Sequence, residues 1–161
     1  MVDAARFDLP ETDAFTRAYW DAAAEGMLLI RRCAACGVAH HYPREFCPRC
    51  WSGEVSWERA SGRAALYTWS VVHRNDLPPF GERLPYVAAV VDLAEGPRMM
   101  TEIVDCDPDR LAVGQDLEVA FRDVVRGSES RRPESQGGAD QEVERIAVPV
   151  FRPACSGSSV G

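Results

Sequence analysis

Lysine is absent. The 18 basic residues of this 161-residue chain are all arginine, and 25 acidic residues set the net charge at −7. Any anion the chain grips must therefore be held by guanidinium forks or backbone N–H groups. The acidic balance argues against generic nucleic-acid binding, which shows as a basic face. No run of eighteen apolar residues occurs, so no membrane-spanning helix is expected. The first thirty residues carry Asp3, Asp8, Glu11, Asp13, Asp21 and Glu25, where a secretory signal would need a basic start and an apolar stretch. A phosphate-binding glycine loop and a paired-carboxylate motif are both missing. What remains is 46% apolar, enough for a packed core.

The most informative feature present is a pair of cysteine hooks. Cys33-Ala34-Ala35-Cys36 and Cys47-Pro48-Arg49-Cys50 are separated by ten residues. Each hook can wrap two thiolates around one ion, and four thiolates form the closed tetrahedral shell that structural Zn²⁺ prefers. Gly37 suits the tight knuckle after the first hook, where positive φ is needed. His40 and His41 lie between the hooks, but with the shell already full they are expected to be exposed ribbon side chains. Of the two remaining cysteines, Cys106 sits between Asp105 and Asp107, whose charges would raise its pKa and blunt it as a nucleophile. A Cys106–Cys155 disulfide is disfavoured, because thiolate ligands suit a reducing, cytoplasmic compartment.

The order of elements follows from periodicity and punctuation. After a loose arm over 1–10, Thr12 or Asp13 caps a helix running to about Glu25, and Gly26 ends it. Phe15, Tyr19 and Trp20 on that helix pack either onto the chain's own core or onto another chain. The ribbon spans 27–58. The turn Ser61-Gly62 then opens a run of five strands over 59–153: Ala64 to His73, Tyr86 to Leu93, Arg98 to Val104, Asp116 to Val125 and Arg145 to Phe151. Tyr67 and Trp69 share one face of the first of these. Five strands with a longer connection between the third and fourth indicate an OB-fold, a small Greek-key barrel. Pro149 removes a ladder donor, which places the last strand at an edge. Tyr86, Ala88 and Val90 face one way and Val87, Ala89, Val91 and Leu93 the other. The second apolar face must then be covered by the helix, the ribbon or a partner. The polar stretch 127–144 reads as a loop and 154–161 as a disordered tail. The fold class is thus mainly β: an N-terminal helix, a rubredoxin-like zinc ribbon and a five-stranded barrel.

The ordered combination of Leu29, Cys33-x-x-Cys36-Gly37, Pro43, Cys47-x-x-Cys50, Trp57, Ser61-Gly62, Tyr67-Thr68-Trp69-Ser70-Val71-Val72, Pro85-Tyr86-Val87-Ala88 and Leu111-x-x-Gly114 resembles the zinc-ribbon plus OB-fold family associated with acyl-CoA metabolism. The resemblance covers about residues 12–153. It implies a non-catalytic small subunit that docks a thiolase-like protein and shapes the acyl-CoA site. The complexes concerned are thiolases or aldolases that cleave a β-hydroxyacyl-CoA, as in steroid side-chain degradation. Zinc would be structural and a CoA thioester would be shared with the partner. Arg31, Arg32, Arg44, Arg49 and Arg74 are the candidates for the CoA phosphates, because the guanidinium fork matches phosphate oxygens. Two other readings stand beside this one. The first is a nucleic-acid-binding ribbon/OB module, against which the charge speaks; the second is a free-standing acyl-CoA-binding protein.

Overall fold

In the computed structural model, residue 10 and residues 12–125 and 145–154 are described. The arm before Pro10, the segment 127–144, Cys155 and the rest of the tail lie outside the described residues.

The chain enters through a capping box. Asp13 Oδ1 accepts from the Thr16 N–H at 2.6 Å, and Thr16 Oγ1 accepts from the Asp13 N–H at 3.1 Å. Residues 14–16 form a turn, and regular helix α1 runs over Arg17–Ala24, later than the expected start. It ends in a Schellman motif: Gly26 takes φ 76°, its N–H reaches Ala23 O at 2.9 Å, and the Met27 N–H reaches Ala22 O at 2.8 Å. Tyr19, Ala22 and Ala23 are buried, and the helix lies over the last barrel strand. The helix aromatics therefore pack on the chain's own core. Tyr19 joins the main cluster, Trp20 lies against it, and Phe15 meets Trp57 at 5.9 Å.

A three-stranded antiparallel sheet follows, with β1 Leu29–Cys33 between β2 Ala39–His40 and β3 Val55–Arg59. The β1–β3 register sets Arg31 opposite Trp57. The guanidinium of Arg31 lies 4.6 Å from the Trp57 ring and donates to Val55 O at 3.0 Å. Such a buried cation over an indole contributes about 0.5–2 kcal/mol.

Five further strands close into a barrel in the order β4-β5-β6-β8-β7: β4 Arg63–Val72, β5 Tyr86–Leu93, β6 Arg98–Ile103, β7 Asp116–Val125 and β8 Arg145–Pro153. Val87, Ala89, Val91 and Leu93 point inward with Leu66, Leu117 and Phe151, all buried. Burying a side chain of this size fully stabilises the fold by about 1.5–3 kcal/mol. A 3₁₀ turn at Pro108–Arg110 occupies the longer connection between the third and fourth barrel strands.

Two local expectations are overturned. Tyr67 and Trp69 do not share a face. A register shift between Leu66 and Thr68 makes Tyr67 the extra residue of a bulge. Trp69 packs against the core, whereas Tyr67 stays exposed beneath Arg98, whose guanidinium lies 3.4 Å from its ring. Nor is β8 an edge strand. It pairs with β7 along its length and meets β6 in parallel at one position, Ile103 with Phe151. Pro149 falls in the stretch where β8 has no β6 ladder. Its carbonyl accepts from Thr101 Oγ1 at 3.3 Å, a side-chain link between β6 and β8 where the ladder is absent.

Candidate metal centre and adjoining cleft

The two cysteine hooks adopt one backbone shape twice. The Cys33 N–H reaches Val38 O at 3.0 Å and the Gly37 N–H reaches Cys33 O at 2.9 Å; the Cys47 N–H reaches Ser52 O and the Trp51 N–H reaches Cys47 O, both at 2.9 Å. Each turn closes on a residue with positive φ: Gly37 at 72°, as expected, and Trp51 at 63°. A tryptophan in that conformation is strained, since its Cβ crowds the backbone.

The four Sγ atoms of Cys33, Cys36, Cys47 and Cys50 all lie within 4.8 Å of one another. Cys33 to Cys50 and Cys36 to Cys47 are each 3.6 Å. A zinc–sulfur bond of about 2.3 Å implies tetrahedral edges of about 3.8 Å, so the cage fits Zn²⁺ and is far too wide for disulfides. Backbone hydrogen bonds, first from Cys50 and then from Arg49, help hold the Cys47 thiol down, whereas Cys50, despite a backbone hydrogen bond from Ser52, is pushed up by the thiols of Cys36, Cys33 and Cys47: four sulfurs compete for protons that a metal would displace. The donor set is suited to a structural zinc: four soft thiolates and no open position.

The histidines between the hooks are not exposed. His40 is buried in β2, opposite Arg31. His41 is largely buried, and burial pushes its imidazole down to about 4, so it is neutral at pH 7. Its Nε2 lies 3.1 Å from the Tyr19 hydroxyl.

The five arginines singled out from sequence have different surroundings. Arg31 is enclosed by Phe15 and Trp57. Arg32 forks onto Glu58 and donates to Gly37 O at 2.9 Å. Arg74, on the barrel beyond β4, pairs with Asp76 at 3.2 Å. Arg44 and Arg49 are exposed on the ribbon, and among the described residues neither has an ion pair or hydrogen bond through its guanidinium. Near them Phe46 stacks on Trp51 at 5.2 Å, and Trp51 is 74% exposed. Cys106 is half-buried, and its thiol is pushed up by burial and by Asp107 and Asp105, which fits the expectation of a blunted nucleophile.

Periodicity did not reveal a cleft of about 620 Å³ between α1, the ribbon and the outer wall of the barrel. The outward face of β5 forms part of that wall through Tyr86 and Ala88, with Trp20 and Tyr42 opposite. Glu102 stands in the cleft with its Oε2 accepting from Arg83 and from Arg122, each at 2.8 Å. Arg83 belongs to a 3₁₀ turn, Phe80–Arg83, inside what reads in sequence as a proline-rich loop. Arg122 meets Glu102 only through the β6–β8–β7 order. No sequence spacing announces either contact.

Against known proteins, residues 20–56 match the rubredoxin-like zinc ribbon domain of ChsH2 and residues 57–122 its C-terminal OB-fold domain. A DUF35 domain-containing scaffold protein of Methanothermobacter thermautotrophicus is 36% identical over 94 residues, covering 58% of this chain and 70% of the relative. A probable enoyl-CoA hydratase alpha subunit of Thermomonospora curvata is 34% identical over 138 residues, 85% of this chain. The match spans only 37% of that relative's length, and 36% of a 3-oxo-4,17-pregnadiene-20-carboxyl-CoA hydratase alpha subunit from Mycobacterium tuberculosis. Among solved structures, a chain of the Ltp2-ChsH2(DUF35) aldolase superposes with TM-score 0.67 at 31% identity, covering 90% of this chain and 98% of that one. With both domains matched in order and the cysteine cage in place, the chain belongs to the ChsH2/DUF35 family of zinc-ribbon plus OB-fold proteins.

Proposed function

We propose that this chain is a non-catalytic accessory subunit of a thiolase-like acyl-CoA complex, holding a catalytic partner and shaping the path of its acyl-CoA substrate. The observation that carries this reading is the 31% identity across 98% of a ChsH2(DUF35) chain that is named with Ltp2 in an aldolase. The chain's own chemistry agrees. Its four-thiolate cage has no open position, and its one described cysteine outside that cage has a raised pKa. The partner would be a thiolase or an aldolase acting on a β-ketoacyl- or β-hydroxyacyl-CoA, with steroid side chains as one candidate substrate class. CoA phosphates would fall to Arg44 and Arg49, which are not committed to other groups as Arg31, Arg32 and Arg74 are. A thiolate-held zinc suits a reducing compartment, so the cytoplasm is the proposed location.

The ribbon knuckle is the proposed docking point. An exposed Trp51 held in a strained conformation costs the lone chain about 1–2 kcal/mol, and burial of the indole against a partner would offset it. Trp51→Gly is therefore expected to raise the melting temperature of the isolated chain while weakening its co-purification with the thiolase-like protein expressed alongside it. The lone chain should show no carbon–carbon bond cleavage, and the co-expressed pair should. Turnover by the isolated chain, or a Trp51→Gly variant that assembles as well as the parent, would sink the proposal.

A further inference from the structure

We propose that the cleft between α1, the ribbon and the barrel is a binding site for a hydrophobic monocarboxylate, with its tail along the apolar wall and its carboxylate on Arg83 and Arg122.

The charge arrangement carries the inference. Two guanidiniums share a single oxygen of one carboxylate, Glu102 Oε2, so the cluster holds one positive charge in excess. The three side chains are only 18–29% exposed, too sheltered for solvent to screen them fully. Arg83 Nη2 is buried without a hydrogen-bond partner. That atom is closed to a water-sized group, so an incoming carboxylate would meet the accessible edges of the two guanidiniums instead. Among the described residues lining the cleft, His41 is neutral and adds no competing charge. The cleft thus asks for one negative charge, not several.

Shape gives the rest of the ligand. About 620 Å³ lies within the range of small-molecule sites. Tyr86, Ala88 and Val148 flank the Arg83–Glu102–Arg122 cluster, and Trp20, Tyr42 and Met100 complete the apolar lining. Thr101 and Pro149 line the cleft where β6 and β8 have no ladder, joined there by the Thr101 hydroxyl on Pro149 O at 3.3 Å, so a chain-like tail would lie along this surface. A polyanion would leave charges against this apolar wall at a desolvation cost. The site needs no other polypeptide, so it stands or falls apart from the accessory role proposed above.

The test uses the full chain alone with dodecanoate below its micelle concentration, dodecanol and dodecanoyl-CoA, measured by calorimetry. Dodecanoate is expected to bind saturably at one per chain, about tenfold or more tighter than dodecanol. Arg83→Gln should weaken dodecanoate about tenfold and leave dodecanol unchanged, whereas Arg98→Gln, on the Tyr67 side of the barrel, should alter neither. Should Arg83→Gln fail to fold, Ala88→Phe provides an independent check, because it fills the wall and should abolish binding of both. Equal affinity for acid and alcohol, no saturable binding of the acid, or indifference to both cleft variants would overturn the proposal. Tight dodecanoyl-CoA binding without dodecanoate binding would overturn it too, by giving the arginine pair to a phosphate.

Discussion

Stripping the metal should unfold the ribbon while leaving the barrel's β-sheet signal largely in place. The three short strands, the longest of five residues, have little apolar surface of their own: Ile30 is the one fully buried aliphatic side chain, and Val55, Trp57, Leu29 and Ala39 are only partly buried. The hooks hold the residues that align β1 with both neighbours, so losing the ion frees that register. Structural zinc binding of this kind contributes about 10–16 kcal/mol near neutral pH, more than a whole domain's usual margin. The measurement is a chelator titration followed by circular dichroism, with zinc release read by a colorimetric dye at one ion per chain. Tryptophan fluorescence should respond strongly, because Trp57 carries the Arg31 contact and Trp51 sits on a knuckle. Cys47→Ser should mimic chelation, since one lost thiolate opens the shell. A chain that keeps its native fluorescence without metal would show that packing, not zinc, holds the ribbon.

Gly62→Ala should be the most damaging single methyl that can be added to the described part of the barrel. Gly62 has φ 78°, and a Cβ built there would stand 2.5 Å from Val119 Cγ1. Its carbonyl accepts from the Val119 N–H at 2.8 Å, so the chain cannot retreat without breaking the bond that helps seat β4 on β7. Alanine in the left-handed region costs about 1–2 kcal/mol and overpacking about 1–3 more, giving a loss of about 2–5 kcal/mol. Denaturant melts measure it directly. Gly96→Ala is the internal control: φ is also positive, but a Cβ there would meet nothing within 4 Å, so only the backbone part of the penalty should appear. If the two variants lose equal stability, the close approach to Val119 is not what matters at Gly62.

Much of this fold was legible from sequence, for identifiable reasons. The metal cage is local: two hooks and a spacing suffice. The barrel strands stood out because Val, Tyr, Trp and Thr alternate between Gly and Pro punctuation, and Tyr86–Leu93 was found to the residue. The expectations that failed depend on long-range geometry. A bulge of one residue moved Tyr67 off the face of Trp69, and strict alternation cannot foresee an inserted residue. A proline that argued for an edge instead occupies a gap inside a closed barrel, because edges are defined by neighbours and not by composition. The Arg83–Glu102–Arg122 cluster joins a short 3₁₀ turn to two strands that are not adjacent in the barrel, so only the strand order brings it together. His40 and His41 are enclosed for a similar reason: the helix and the sheet close over a segment that looks exposed when read as a linear ribbon.

The seam between β6 and β8 has a mechanical consequence. The other junctions are antiparallel ladders, the shortest the three paired residues of β4 and β7, but here one bridge, the bond from the Val104 N–H to Phe151 O at 2.8 Å and the Thr101 hydroxyl on Pro149 O at 3.3 Å carry the join. Widening the hoop at that point forfeits about 0.5–1.5 kcal/mol per backbone hydrogen bond, whereas parting β4 from β5 would forfeit a whole row. On this count the barrel is a clasp that should part most readily at this seam, on the flank facing the helix.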